Sequence, residues 1–336
     1  MGAVQKRRVW AGAGLTLLVA GVLVVAVVRS PLGTVAQPAS AARSNARSVD
    51  TAASPSRSTS TRAERSGSST AVRQESAARG DVLGVFAAAG VHQWVHCAGN
   101  GAITLVIITG LAAPASSWSL VLPSLRAITR TCVYDRPGLG LSPPRADMSK
   151  IVDAGLYSRE LTALLMAAGE RGPFVVVGHS FGGLIARAFL RDNPGRVRGL
   201  LLAESVTPND PTSGPFWSEA GHRVDMAASS AATGGGPPLG RLHLLVLSAS
   251  DPEGDHLGGP TYGQPESAIT LWRRQQRNDL SLSSDAIQVI AHSGHVLQQD
   301  DPAAVAEAVR ELVAVARGGG LLRCTAVWSN VDARCA

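Results

Sequence analysis

The sequence predicts an α/β domain: a mostly parallel central sheet with helices on both faces and a short cap insertion. Three observations carry this expectation. Short runs at 103–108, 131–134, 174–177, 200–202 and 242–247 are almost wholly apolar, the texture of strands buried on both faces rather than one. Helical patterns at 157–168, 183–191 and 302–316 lie between or after them, and strands alternating with helices imply parallel pairing. Finally, the run Phe174-Val175-Val176-Val177 enters Gly178-His179-Ser180-Phe181-Gly182-Gly183 and continues as Leu184, Ile185, Ala188 and Phe189, a strand turning sharply into a helix.

The elements can be justified in chain order. Residues 1–8 form a basic segment with Lys6, Arg7 and Arg8, and residues 9–28 are uncharged and apolar. A membrane span needs about 20 such residues and a cleavable signal core about 7–15, so the length favours an uncleaved anchor. A signal cleaved after Ala39-Ser40-Ala41 is the alternative. The basic cluster before the run orients the rest of the chain outside the cytoplasm. Residues 29–80 are rich in Ser, Ala, Thr and Arg with few large apolar groups, and are expected to form a disordered tether.

Charge follows the same division. Residues 1–80 hold 11 of the 31 basic side chains but only 3 of the 25 acidic ones, leaving 20 basic against 22 acidic in the remainder. The net charge of +6 therefore belongs to the leader, and the body has no electrostatic footprint for nucleic acid. A hydrophobic fraction of 45% excludes a wholly disordered chain.

Residues 81–317 form the expected domain. Its last helix has Val305, Ala308, Val309, Leu312 and Val313 at helical spacing, Asp301 as N-cap, Pro302 in the first turn and Gly318-Gly319-Gly320 as its stop. The turn at 178–183 has a chemical reading. Lifting the Ser180 hydroxyl clear of a sheet forces a strained backbone, and side chains at 178 and 182 would collide across it. The helix start leaves the Phe181 N–H free to bind an oxyanion.

A serine needs a base. His295, in Ser293-Gly294-His295 just before the last helix, is the best candidate, ahead of neighbouring His292. His179 is expected to pack beneath the turn. A carboxylate must then orient the imidazole. Asp251, after the 242–247 strand, and Glu204, after the 200–202 strand, compete, and the order serine, acid, histidine along the chain favours Asp251. No closely spaced His/Cys/Asp set suggests zinc, and no cofactor is implied.

At this point residues 81–317 resemble the α/β-hydrolase fold, in its serine-nucleophile, esterase-like branch. The matching pieces are Thr109-Gly110-Leu111 with Trp118, Tyr134-Asp135-Arg136-Pro137-Gly138-Leu139-Gly140-Leu141-Ser142, Gly178 to Gly183, Leu200-Leu201-Leu202-Ala203-Glu204, Leu242 to Asp251 and Ser293-Gly294-His295. The resemblance implies Ser180 as nucleophile, His295 as general base and acid, and Asp251 as orienting carboxylate, with Glu204 kept open because some members draw the acid there. It implies an oxyanion hole from the backbone N–H groups of Phe181 and Leu111. Thr109 stands where the family often has His, and Asp135 and Arg136 are expected to fix a loop. Epoxide hydrolases and haloalkane dehalogenases of this fold use a carboxylate nucleophile, and Ser180 argues against both.

The insertion 205–241 is expected to be a short, mobile lid with Phe216, Trp217 and Met226 as its large groups, a structureless insertion being the alternative. The expected activity is carboxylic ester cleavage on a small or lipid-like ester. Amide, lactone or thioester cleavage, acyl transfer, and a catalytically silent binding domain are the alternatives. In the tail 318–336 and the early strands lie four cysteines, an even set outside the cytosol. The expected pairs are Cys97–Cys132 and Cys324–Cys335, with free buried thiols as the alternative.

Overall fold

The computed structural model describes residues 79–210, 213–234, 239–250 and 268–336. The apolar run 9–28, the linker and Asp251 lie outside the described residues. Among the described residues no helix is long and apolar enough to cross a membrane.

The chain enters through strands β1 (Val82–Ala88) and β2 (Val91–Ala98), then β3 (Thr104–Ile108), α1 (Leu122–Ile128) and β4 (Arg130–Tyr134). Helix α2 (Ala154–Ala167), β5 (Phe174–His179), α3 (Gly182–Asp192) and β6 (Val197–Ala203) follow. The insertion holds β7 (Phe216–Glu219), β8 (His222–Asp225) and α4 (Met226–Thr233). The remainder is β9 (His243–Ala249), α5 (Ala268–Asn278), β10 (Ala286–Ala291), α6 (Leu297–Asp300), α7 (Pro302–Gly318) and β11 (Ala333–Cys335).

Among the described residues nine strands form one sheet in the order β1-β2-β4-β3-β5-β6-β9-β10-β11. Pairing from β4 to β10 is parallel, and the antiparallel pairs lie at the two edges. The five expected strands are all present, as β3, β4, β5, β6 and β9. Alternate residues explain their apolar texture. Val106, Ile108, Val176, Leu200 and Leu202 face the core that includes Leu161, Leu164, Ile185 and Phe189 of α2 and α3. Leu105, Ile107, Val175, Val177 and Leu201 face the core that includes Leu125 of α1 and Val305, Val309 and Leu312 of α7. Each such side chain contributes roughly 1.5–3 kcal/mol by leaving water.

Two signals placed α7. Asp301 accepts from the Ala304 N–H at 2.9 Å, and Gly319 closes the helix in the left-handed region at φ 73°. The β1–β2 hairpin was not expected. Its outer strand alternates exposed and half-buried residues, and its two-residue turn, Ala89-Gly90, has φ of 51° and 77°.

Both expected cysteine pairs form. Cys97 and Cys132 lie opposite each other on β2 and β4, 4.0 Å apart at Cα, and Cys324–Cys335 closes the tail onto β11. At the end of the sheet remote from the Ser180 turn, buried Arg130 donates to Glu170 at 2.7 Å and also reaches the carbonyls of Gly99 and Gly80.

The insertion differs from a structureless segment. Its β7–β8 strands pair as an antiparallel hairpin, Val152 bridges to Val224, and Met226 is buried in the core rather than lining a lid. Asp225 caps α4 by accepting from the Ala228 N–H at 2.8 Å.

Candidate active site

Strand β3 pairs with β4 on one side and β5 on the other, so the chain changes direction across the sheet there. In open parallel sheets the crevice outside the carboxyl ends of such strands is where ligands bind. The segments leaving β3 and β5 are Thr109-Gly110-Leu111 and the Ser180 turn.

Ser180 has φ of 51°, a left-handed conformation that costs a non-glycine residue about 1–3 kcal/mol. Surrounding backbone bonds hold it there. Its N–H donates to the Ala203 carbonyl at 3.1 Å, and its own carbonyl accepts from Val206 and Gly183 at 3.0 and 2.9 Å. The flanking glycines are required by contact: a Cβ at Gly178 would lie 2.7 Å from the Gly182 carbonyl oxygen, and one at Gly182 would strike the Ile108 carbonyl. The oxyanion-loop candidate runs beside this turn, since a Cβ at Gly110 would sit 3.3 Å from that of Ser180.

His295 reaches the same place from the loop between β10 and α6. Its carbonyl lies 2.9 Å from His179 Nε2, and the two rings are 5.1 Å apart. His179 itself is buried, edge-on to Trp118, which agrees with a packing role beneath the turn. His292, by contrast, points outward with a side chain 76% exposed, pairing with Asp332 at 3.1 Å.

Among the described residues, the carboxylate facing His295 is Glu204. Its Oε2 lies 3.4 Å from His295 Nδ1, a long contact of the kind that shortens once the imidazole is charged. Glu204 is itself left-handed at φ 43°, with its N–H donating to the Leu247 carbonyl at 2.9 Å. Only 1% exposed, it is held by three further donors: Trp272 Nε1 at 2.8 Å, the Ala249 N–H at 2.7 Å and Gln276 Nε2 at 3.1 Å. Gln276 Oε1 accepts from Ser248 Oγ, which accepts from Gln288 Nε2 at 2.9 Å. Trp272 also packs edge-on against the His295 ring, 6.1 Å between centroids. Sequence reasoning missed Trp272 and Gln276. They lie on α5, whose Trp-Arg-Arg-Gln-Gln-Arg stretch carries no motif.

Three left-handed non-glycine residues, Ala112, Ser180 and Glu204, thus follow β3, β5 and β6, adjacent strands of the sheet. Such outliers persist where surrounding structure over-determines them, and they concentrate at functional sites.

Arg136 and Glu219 complete the surroundings. Arg136 donates to both Glu219 oxygens, at 2.9 Å from Nε and 2.6 Å from Nη2. Burial pushes the Glu219 carboxyl up, but the guanidinium and the donors Tyr157 and Ala112 outweigh it and hold it below the usual range. Trp217 of β7 faces Phe181 at 6.1 Å, whereas Phe216 is 40% exposed beneath the Arg223 guanidinium. Cys97, Cys132 and Glu170 cluster within 4.8 Å, but a disulfide and the Arg130 bond already occupy their ligand atoms.

The α/β hydrolase fold family model matches residues 103–226, the stretch from the start of β3 into the insertion. The chain has the α/β-hydrolase fold. Among solved structures, this α/β-hydrolase chain is similar to an esterase from Thermogutta terrifontis, with 18% identity and a TM-score of 0.51 over 71% of this chain and 99% of that one. It is also similar to a haloalkane dehalogenase from Bradyrhizobium elkani, with 15% identity and a TM-score of 0.53 over 72% and 100% of the two chains. At these identities the likeness establishes the fold alone. An uncharacterized vacuolar membrane protein of Saccharomyces cerevisiae is 37% identical over 93 residues, 27% of this chain and 14% of that protein, so the match spans a small part of its length.

Proposed function

We propose that this α/β hydrolase is a serine esterase with Ser180 as nucleophile, His295 as general base and acid, and Glu204 as the orienting carboxylate. The observation that carries the proposal is the convergence of a strained Ser180 turn, the His295 loop and Glu204 at one edge of the sheet. Asp251, favoured by chain order, lies outside the described residues, so the choice of Glu204 rests on its contact with His295.

With Nδ1 facing Glu204, Nε2 is the His295 nitrogen proposed to serve the Ser180 hydroxyl. Ser180 Oγ attacks the ester carbonyl as Nε2 takes its proton. The backbone N–H groups of Phe181 and Leu111 hold the tetrahedral oxyanion, each worth about 2.7–4 kcal/mol. The proton passes to the departing alcohol, and water activated by the same imidazole releases the acid. Ser180 is only partly buried, which leaves its hydroxyl reachable by a small or lipid-like ester. The wild-type chain is expected to be labelled by a fluorophosphonate probe and to cleave p-nitrophenyl acetate. Ser180→Ala should abolish both, and a folded wild type that does neither rejects the proposal.

The domain is further proposed to work outside the cytoplasm, tethered through residues 9–28. Two disulfides support an oxidising compartment, and the apolar run supports the tether. Fractionation is expected to place the chain with membranes. Sequencing of a mature N-terminus that begins near Ala42 would replace the tether with secretion.

A further inference from the structure

We infer that Glu219, on the hairpin of the insertion, is a positioning residue that aims the Leu111 N–H by holding the loop after β3 together with Arg136. The inference rests on the esterase reading and adds a residue from the cap to its oxyanion hole.

The pair grips the loop at successive peptide groups. Arg136 Nη1 donates to the Thr109 carbonyl at 2.9 Å and Nη2 to the Gly110 carbonyl at 2.5 Å. From its other side, Glu219 Oε1 accepts from the Ala112 N–H at 2.8 Å. Thr109 Oγ1 closes the loop internally by donating to the Ala113 carbonyl at 2.7 Å. In a trans peptide the C=O and the following N–H point in opposite directions. A Gly110 carbonyl turned toward Arg136 therefore turns the Leu111 N–H away from it. The same grip keeps two carbonyl dipoles, which would repel an oxyanion, directed at a cation instead.

A buried ion pair is a poor device for stability alone, because apolar groups of similar volume often serve as well. This pair is 1% exposed at both residues, and its polar atoms go to three loop peptide groups and to Tyr157. Tyr157 packs against the guanidinium, 5.5 Å from ring centroid to Cζ. The hairpin also touches the second proposed donor, since Trp217 faces Phe181. The insertion and the oxyanion loop thus behave as one unit.

The test uses the full chain with p-nitrophenyl acetate and a fluorophosphonate probe. The variants are Glu219→Gln, Glu219→Leu and the double variant Arg136→Met with Glu219→Leu, which removes the pair without stranding a charge. An oxyanion contact exists only in the transition state, so its loss lowers kcat and leaves KM alone. The double variant is expected to keep a Tm close to wild type and lose about 100-fold in kcat at unchanged KM. Glu219→Gln keeps an acceptor for the Ala112 N–H and should lose less than Glu219→Leu. Folded variants with wild-type kcat, or variants lowered in Tm alone, overturn the inference while the esterase reading stands. Should the double variant not fold, Glu219→Gln with unchanged kcat overturns it equally. A wild type that neither labels nor turns over removes the esterase reading, and the inference with it.

Discussion

Glu204→Gln is expected to lower kcat for ester cleavage by roughly 10⁴-fold while the protein stays folded. In the proposed triad the carboxylate has two tasks at His295 Nδ1: to fix which nitrogen carries the proton, and to stabilise the imidazolium that forms. An amide in the same place can turn its NH₂ toward Nδ1 and lock the wrong tautomer. The geometry makes compensation difficult, because Oε2 sits between His295 and Trp272 while Oε1 is held by Ala249 and Gln276. Asp251→Asn should change kcat by less than about tenfold if Glu204 alone orients His295. Steady-state kinetics of the two variants side by side checks this. The reverse ranking would return the role to Asp251.

The second large effect concerns stability rather than chemistry. Arg130→Met leaves the Glu170 carboxylate, 1% exposed, with the Thr104 hydroxyl at 3.1 Å and the half-exposed Arg79 at 3.4 Å as partners. Removing one member of a buried pair costs about 3–5 kcal/mol. In a domain of this size that lowers Tm by on the order of 10 °C. Arg130 also joins the carbonyls of Gly80 and Gly99, so the entry to β1 and the exit from β2 should loosen together. Urea unfolding checks the magnitude, and a loss below about 1 kcal/mol would mean the pair is dispensable. Because Arg130 opens β4 at the end of the strands remote from Ser180, turnover well below Tm should be nearly unchanged.

These two cases also mark what could be read before any coordinates. The parallel strands were legible because burial on both faces leaves a mostly apolar run with few polar interruptions. The Ser180 turn was legible because its glycines are set by steric contact within six residues. The β1–β2 hairpin was less so: its outer strand is half exposed, and Leu83 and Val85 face solvent, so the apolar-run criterion passes over it. Its alternation and the Ala89-Gly90 turn were the available signals. The acid was ambiguous because Glu204 and Asp251 both follow strands, and chain order says nothing of the lateral packing that brings Glu204 to His295. Trp272 and Glu219 had no local signature at all. Their roles arise from contacts across 68 and 83 positions of sequence, which no spacing rule encodes.

The amide-and-hydroxyl chain from Gln288 through Ser248 and Gln276 to Glu204 has a direction imposed by charge. An ionised Glu204 only accepts, so each group behind it must donate forward. The charge of Glu204 thereby orders a chain that runs sideways through the sheet to a side-chain amide on β10. The NH₂ resonance of Gln288 becomes a remote spectroscopic gauge of how that chain is ordered, read at a residue outside the proposed triad.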